Sequence, residues 1–88
     1  MSNSSRRQER EEMQELLSAY NNMKSGRGHA FIEEDDFEKI IDYFDDKEDI
    51  SAATEAAEIG VEQFPYSSGL LIRLAELLIV ERHYEKAM

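Results

Sequence analysis

The chain has no cysteine, no tryptophan, a single proline and four glycines among its 88 residues. Without cysteine it has neither disulfide bonds nor thiolate zinc ligands, and we expect a reducing, cytoplasmic setting. No segment approaches the roughly 20 consecutive apolar residues of a transmembrane helix, so no membrane span is expected. The polar opening residues have no apolar run behind them, which argues against a secretory signal peptide.

Positive charge is also scarce, and the net charge is −10. Residues 1–28 are nearly balanced, with five Lys/Arg and four Asp/Glu, whereas residues 29–88 carry five basic and sixteen acidic side chains. Such a surface repels phosphate, which makes nucleic acids and anionic membranes poor partners and a basic protein or peptide a sensible one. The alternative is that the acidity merely keeps the domain soluble.

Apolar residues recur at offsets of three and four along most of the chain, which is typical of amphipathic helices. The predicted helices span residues 8–24, 33–46, 50–64 and 68–82, and a fifth would begin at Tyr84. Pro65 ends the third of these helices, and Ser67 or Ser68 caps the next. Residues 1–7 are polar and are expected to be disordered. No alternating strand pattern is present, so we expect an all-α fold.

A period of 34 residues relates the second predicted helix to the fourth. The paired positions keep their apolar character: Phe37 with Leu71, Ile40 with Leu74, Ile41 with Ala75, Phe44 with Leu78, Ile50 with Tyr84, and Ala53 with Ala87. A fixed period in this range predicts stacked two-helix units rather than one globular core.

This pattern resembles the tetratricopeptide repeat, which uses large residues on its first helix and small residues on its second. The resemblance implies antiparallel helix hairpins stacked as a short right-handed α-solenoid. The first unit would span residues 34–67, and the second would span 68–88 and be truncated. Gly60 replaces a near-constant alanine and Ile41 replaces a small residue, which suggests a size exchange between these two positions.

The helix over residues 8–24 is expected to act as an N-terminal cap. It would lay an apolar stripe against the first unit, formed by Met13, Leu16, Leu17 and Tyr20. Since a solenoid normally needs three or more units, we expect the chain to be the N-terminal part of a longer protein.

No constellation supports catalysis, and we expect neither an enzyme nor a bound cofactor. His29 and His83 lack a serine–acid arrangement, and no glycine-rich phosphate loop is present. A calcium loop starting at Asp45 fails because Lys47 occupies a ligand position and Ile50 replaces the glycine of the turn. The acidic run over residues 33–36 is better explained as a helix start that the dipole favours.

The resemblance implies a concave groove lined by the first helices of successive units. The implied partner-binding residues are Asp35, Glu38, Lys39, Asp42 and Asp45 in the first unit, and Ile72, Arg73, Glu76, Ile79 and Val80 in the second. Glu38 and Asp42 stand where some relatives clamp a peptide carboxylate with basic or amide groups, so that activity is not expected. The alternative is that the apolar members form a core against a following helix.

We therefore expect a non-catalytic protein–protein interaction scaffold that binds a basic or amphipathic protein segment. Self-association through the exposed fourth helix is a further expectation. Two alternatives stay open: an acidic regulatory subunit that neutralises a basic protein, and an accessory domain of an enzyme lying C-terminal to this chain. Ionic strength separates acidic-face binding from apolar groove binding.

Overall fold

The computed structural model describes residues 2–26 and 31–87, and it describes side chains for residues 9–26 and 31–83. The helices are α1 (Ser2–Lys24), α2 (Glu34–Asp46), α3 (Ile50–Gln63) and α4 (Ser68–Ala87). The described residues contain no strand, which confirms the all-α prediction. They divide into two compact units that differ from the predicted repeat units: from here on, the first unit is Met1–Glu33 and the second unit is Glu34–Met88, and each is described by itself.

The first unit consists mainly of α1, which begins at Ser2 rather than at Gln8. Residues 2–7 continue this helix, where composition predicted a disordered terminus. Neither glycine nor proline occurs between residues 2 and 24 to interrupt it. Gly26, with φ of 74°, closes the helix in the left-handed conformation that glycine tolerates. The rest of the predicted break, residues 27–28, lies outside the described residues.

The predicted apolar stripe of α1 is only partly sheltered. Tyr20 is buried, and Met13, Leu16 and Leu17 are half-buried. Lys24 in the last turn places its Nζ 5.3 Å from the Tyr20 ring centroid. The capping role of this helix stays a prediction.

The second unit opens with a tight α2–α3 hairpin, as the polar Lys47–Asp49 stretch predicted. The amide of Asp49 donates to the Phe44 carbonyl at 2.9 Å, and Glu48 adopts a positive φ of 60° to allow the reversal. Asp49 then caps α3, since its Oδ1 accepts from the Ala52 amide at 3.2 Å.

The core of the second unit is built where α2, α3 and α4 contact one another. Its fully buried side chains are Phe37, Ile40, Ile41, Ala53, Ala56, Ala57 and Leu70. The large residues come mainly from α2 and the small ones from α3. Small side chains let α3 approach its neighbours closely, and this matches the expected division between the two helices.

Gly60 is the point of closest approach, and its neighbours differ from those expected. A Cβ atom on Gly60 would lie 3.2 Å from Leu70 Cδ1 and 3.2 Å from Phe37 Cγ. The side chains nearest to the glycine are therefore Phe37 and Leu70, and the predicted exchange with Ile41 is replaced by one with these two residues.

The C-terminal helix corrects a prediction of the repeat pattern. α4 runs without a break from Ser68 to Ala87, whereas the pattern placed a turn near His83 and a new helix at Tyr84. His83 lies exposed within the helix. Residues 81–87 contain no glycine or proline and include several strong helix formers, so nothing local stops the helix.

The packing face of α4 also differs from the prediction. Leu70 and Leu77 are buried, while Leu71 and Leu78, which the 34-residue period pairs with Phe37 and Phe44 and so predicts to pack, are 44% and 46% exposed. Ala75 is exposed too. Because α4 is apolar on nearly every side, periodicity alone did not select the buried face. The buried face of α4 is the one that contacts α2 and α3.

Candidate functional site

An ion pair joins the two predicted halves of the groove. Arg73 on α4 donates from Nη2 to Asp42 Oδ1 on α2 at 2.7 Å, and the same nitrogen lies 3.5 Å from Asp45 Oδ2. All three residues were predicted groove positions, and they come from helices that the 34-residue period relates. The contact therefore places α2 and α4 side by side along this face.

A second link lies at the start of both helices. The Ser67 hydroxyl donates to Glu34 Oε1 at 2.6 Å, and Ser67 Oγ accepts from the Leu70 amide at 3.3 Å. Ser67, rather than Ser68, is thus the N-cap of α4. The serines at positions 67 and 68 indicated a cap, but nothing in the sequence indicated its bond to Glu34, because the first residue of α2 gives no signal of a distant partner.

Glu38 and Gly69 form the third point of approach between α2 and α4. A Cβ atom on Gly69 would lie 2.9 Å from Glu38 Oε1, so the glycine leaves room for this carboxylate. Glu38 is half-buried as a result. Together with the Asp42–Arg73 pair, this contact fixes two acidic side chains of α2 against α4.

The remaining predicted groove residues are solvent-exposed in the structure. They are Asp35, Lys39, Ile72, Glu76, Ile79 and Val80. Lys39 Nζ lies 4.0 Å from Asp36 Oδ1, a loose surface contact. Most of the predicted residues thus fall into two strips. The acidic strip along α2 consists of Asp35, Glu38 and Asp42, and the apolar strip on the outer side of α4 consists of Ile72, Ile79 and Val80.

The electrostatic character of the α2 strip is acidic. Arg73 is already engaged by Asp42 and Asp45, and Lys39 is the other basic residue of the predicted set. An incoming carboxylate would meet Glu38 and Asp42, whereas an ammonium or guanidinium group would be attracted. The arrangement therefore suits a positively charged segment.

The described residues offer no sign of metal chemistry. Within residues 2–26 and 31–87, no three His, Cys, Asp or Glu side chains are grouped closely enough to hold an ion. His83 stands alone on the surface of α4, and His29 lies outside the described residues. In the same part of the chain, no helix has the length and apolar character needed to cross a membrane.

Comparison with protein-family models, curated proteins and solved structures finds no significant match.

Proposed function

We propose that the chain is a non-catalytic protein–protein interaction scaffold of the tetratricopeptide type. The observation that carries the proposal is the Asp42–Arg73 ion pair, which joins α2 to α4, the two helices that the 34-residue period relates. The 34-residue period and the mutual contacts of α2, α3 and α4 support the same interpretation. A stack of such hairpins presents an extended surface suited to holding a protein segment.

The partner that best fits this face is an amphipathic segment with basic and apolar residues. The acidic strip of α2 attracts the basic side chains, and Ile72 and Ile79 on α4 offer apolar contact at 57% and 69% exposure. Charge complementarity of this kind mainly raises the association rate and the specificity. Cytoplasmic localisation remains part of the proposal.

A fluorescent helical peptide made of lysine and leucine tests the groove by anisotropy. Replacing Asp35 with Asn and Glu76 with Gln removes two exposed charges from the proposed face. We expect this variant to bind about five- to tenfold more weakly, which corresponds to about 1 kcal/mol.

The matched control is Glu58→Gln with Glu62→Gln, which removes the same charge from the exposed side of α3. The control is expected to bind as the unmodified chain does. Equal weakening in both variants would show that the peptide responds only to net charge, and the groove proposal would then be wrong.

The acidic subunit that neutralises a basic protein is a second candidate, favoured by the exposed carboxylates of α2. It differs from groove binding in its response to salt. Binding through carboxylates alone should be lost when the ionic strength is raised, because salt screens exposed charges. Groove binding should keep an apolar component that depends on Ile72 and Ile79. The variant Ile79→Gln, which replaces the apolar side chain with a polar one of similar size, should therefore weaken only groove binding.

A further inference from the structure

We infer that the outer face of α4 is the pairing surface for a second copy of this chain. The face is formed by Leu71, Ile72, Ala75, Leu78 and Ile79. In the pair the two α4 helices would run antiparallel, related by a two-fold axis at Ala75. The inference does not rest on the proposed groove function, although the two surfaces share Ile72 and Ile79.

The first support is that this face is apolar and uncovered within the described structure. All five residues are exposed in the presence of the whole chain, including Ile79 at 69%. Four of the five are large aliphatic side chains, and contiguous patches of this kind are rare on monomeric proteins. In α2 two of the positions 34 residues earlier, Phe37 and Ile41, are fully buried, whereas their counterparts Leu71 and Ala75 are exposed.

The second support is that the face is symmetrical about Ala75. Leu71 and Ile79 lie four residues before and after it, and Ile72 and Leu78 lie three residues before and after it. At 100° per residue, all four fall within about 60° of Ala75 around the helix. An antiparallel copy would therefore set Leu71 opposite Ile79 and Ile72 opposite Leu78, which is the self-complementarity that a two-fold interface requires.

Ala75 makes a close approach possible. Helices pack about 8–10 Å apart, and small residues at the contact favour the shorter distance. At about 10 Å between the helix axes, with α-carbons about 2.3 Å from each axis, the two Ala75 Cα atoms would lie roughly 5 Å apart, within the range that a disulfide spans. A large residue at this central position would hold the four flanking aliphatic side chains apart.

Charge at the ends of the face also favours a second copy. Ser68 and Arg82 lie seven residues before and after Ala75, so Arg82 of one copy would arrive at the level of Ser68 of the other. Adjacent Gly69 lies beside the Glu38 carboxylate. The antiparallel pair thus brings an exposed guanidinium toward an acidic region at both ends, whereas a parallel pair would set Arg82 against Arg82.

Pairing would cover Ile72 and Ile79, which also belong to the proposed groove. It would leave the acidic residues Asp35 and Asp42 on α2 accessible. Pairing and peptide binding are therefore expected to compete for the apolar strip, but each is measured separately: one by mass and cross-linking, the other by peptide affinity.

Cross-linking tests the geometry directly, because the chain contains no natural cysteine. Ala75→Cys is expected to form a disulfide-linked dimer rapidly on mild oxidation. Mixing Ser68→Cys with a tagged Arg82→Cys chain, using a short bismaleimide, should give the mixed product. Ser68→Cys alone should not couple to itself. Coupling of Ser68→Cys with itself, or no coupling through Ala75→Cys, would overturn the inference.

Sedimentation equilibrium on the unmodified chain supplies the second test. We expect a monomer–dimer equilibrium that Leu78→Lys abolishes, with unchanged helical circular dichroism. Tyr66→Lys is the control, since Tyr66 is 97% exposed but lies outside the face, and it should still dimerise. A chain that remains monomeric up to about 1 mM would overturn the inference and leave the face to a different partner or chain segment.

Discussion

Gly60→Leu should destabilise the second unit more than any ordinary surface substitution. Gly60 is buried at the junction of α3 with α2 and α4. Its added Cβ alone would lie 3.2 Å from both Leu70 Cδ1 and Phe37 Cγ, and both neighbouring residues are fully buried. The remaining three side-chain atoms of leucine would enter space that these two side chains already occupy.

The expected magnitude follows from two opposing terms. Glycine inside a helix is about 1 kcal/mol less stable than a good helix former, so the higher helix propensity of leucine should stabilise α3 by roughly that amount. Overpacking a filled core costs about 3 kcal/mol at the upper end of its usual range. The net loss of about 2 kcal/mol corresponds to a melting temperature about 8–16 °C lower for a domain of this size.

Thermal unfolding followed by circular dichroism measures this loss. Glu58→Leu is the matched control, because it adds the same side chain to an exposed position of the same helix, and its melting temperature should change little. Combining Gly60→Leu with Leu70→Ala should cost less than the two changes summed, since the alanine makes room. An unchanged midpoint for Gly60→Leu, or additive costs in the pair, would refute the packing argument.

Three further predictions concern the connections and the ion pair. Ser67→Ala should cost about 1–2 kcal/mol by chemical denaturation, because it removes the α4 cap and the bond to Glu34, whereas Ser68→Ala should be nearly neutral. Glu48→Gly should stabilise by up to about 1 kcal/mol, because its φ of 60° strains a residue with a Cβ; a lower melting temperature would contradict this. Arg73→Met should change the free energy of unfolding by less than about 1 kcal/mol, with any loss vanishing in concentrated salt; a larger, salt-insensitive loss would show that the pair contributes more than a surface interaction does.

Sequence periodicity predicted most of the helices and turns because local signals marked their ends. Asp49 caps α3, and the helix ends at Gln63, just before Pro65, as expected. The end of α4 carried no such marker. Its turn was predicted by analogy with the earlier hairpin, and the helix instead continues to Ala87.

The candidate groove was predicted less completely than the fold. The resemblance to the tetratricopeptide repeat implied that Asp42 and Arg73 belong to one face, and the structure adds that they form an ion pair. The sequence did not indicate which side of α4 is buried, because that helix carries apolar residues on nearly every side. Only the tertiary position of α2 and α3 decides that Leu70 packs while Leu71 is exposed.

The most direct test of a protein-binding face across α2 and α4 is an amide chemical-shift titration with the unlabelled lysine–leucine peptide. The account predicts that the largest shifts cluster at Asp35, Glu38, Ile72 and Glu76 and saturate together. Shifts concentrated at Glu58 and Glu62 on α3, or spread evenly over all acidic positions, would contradict it.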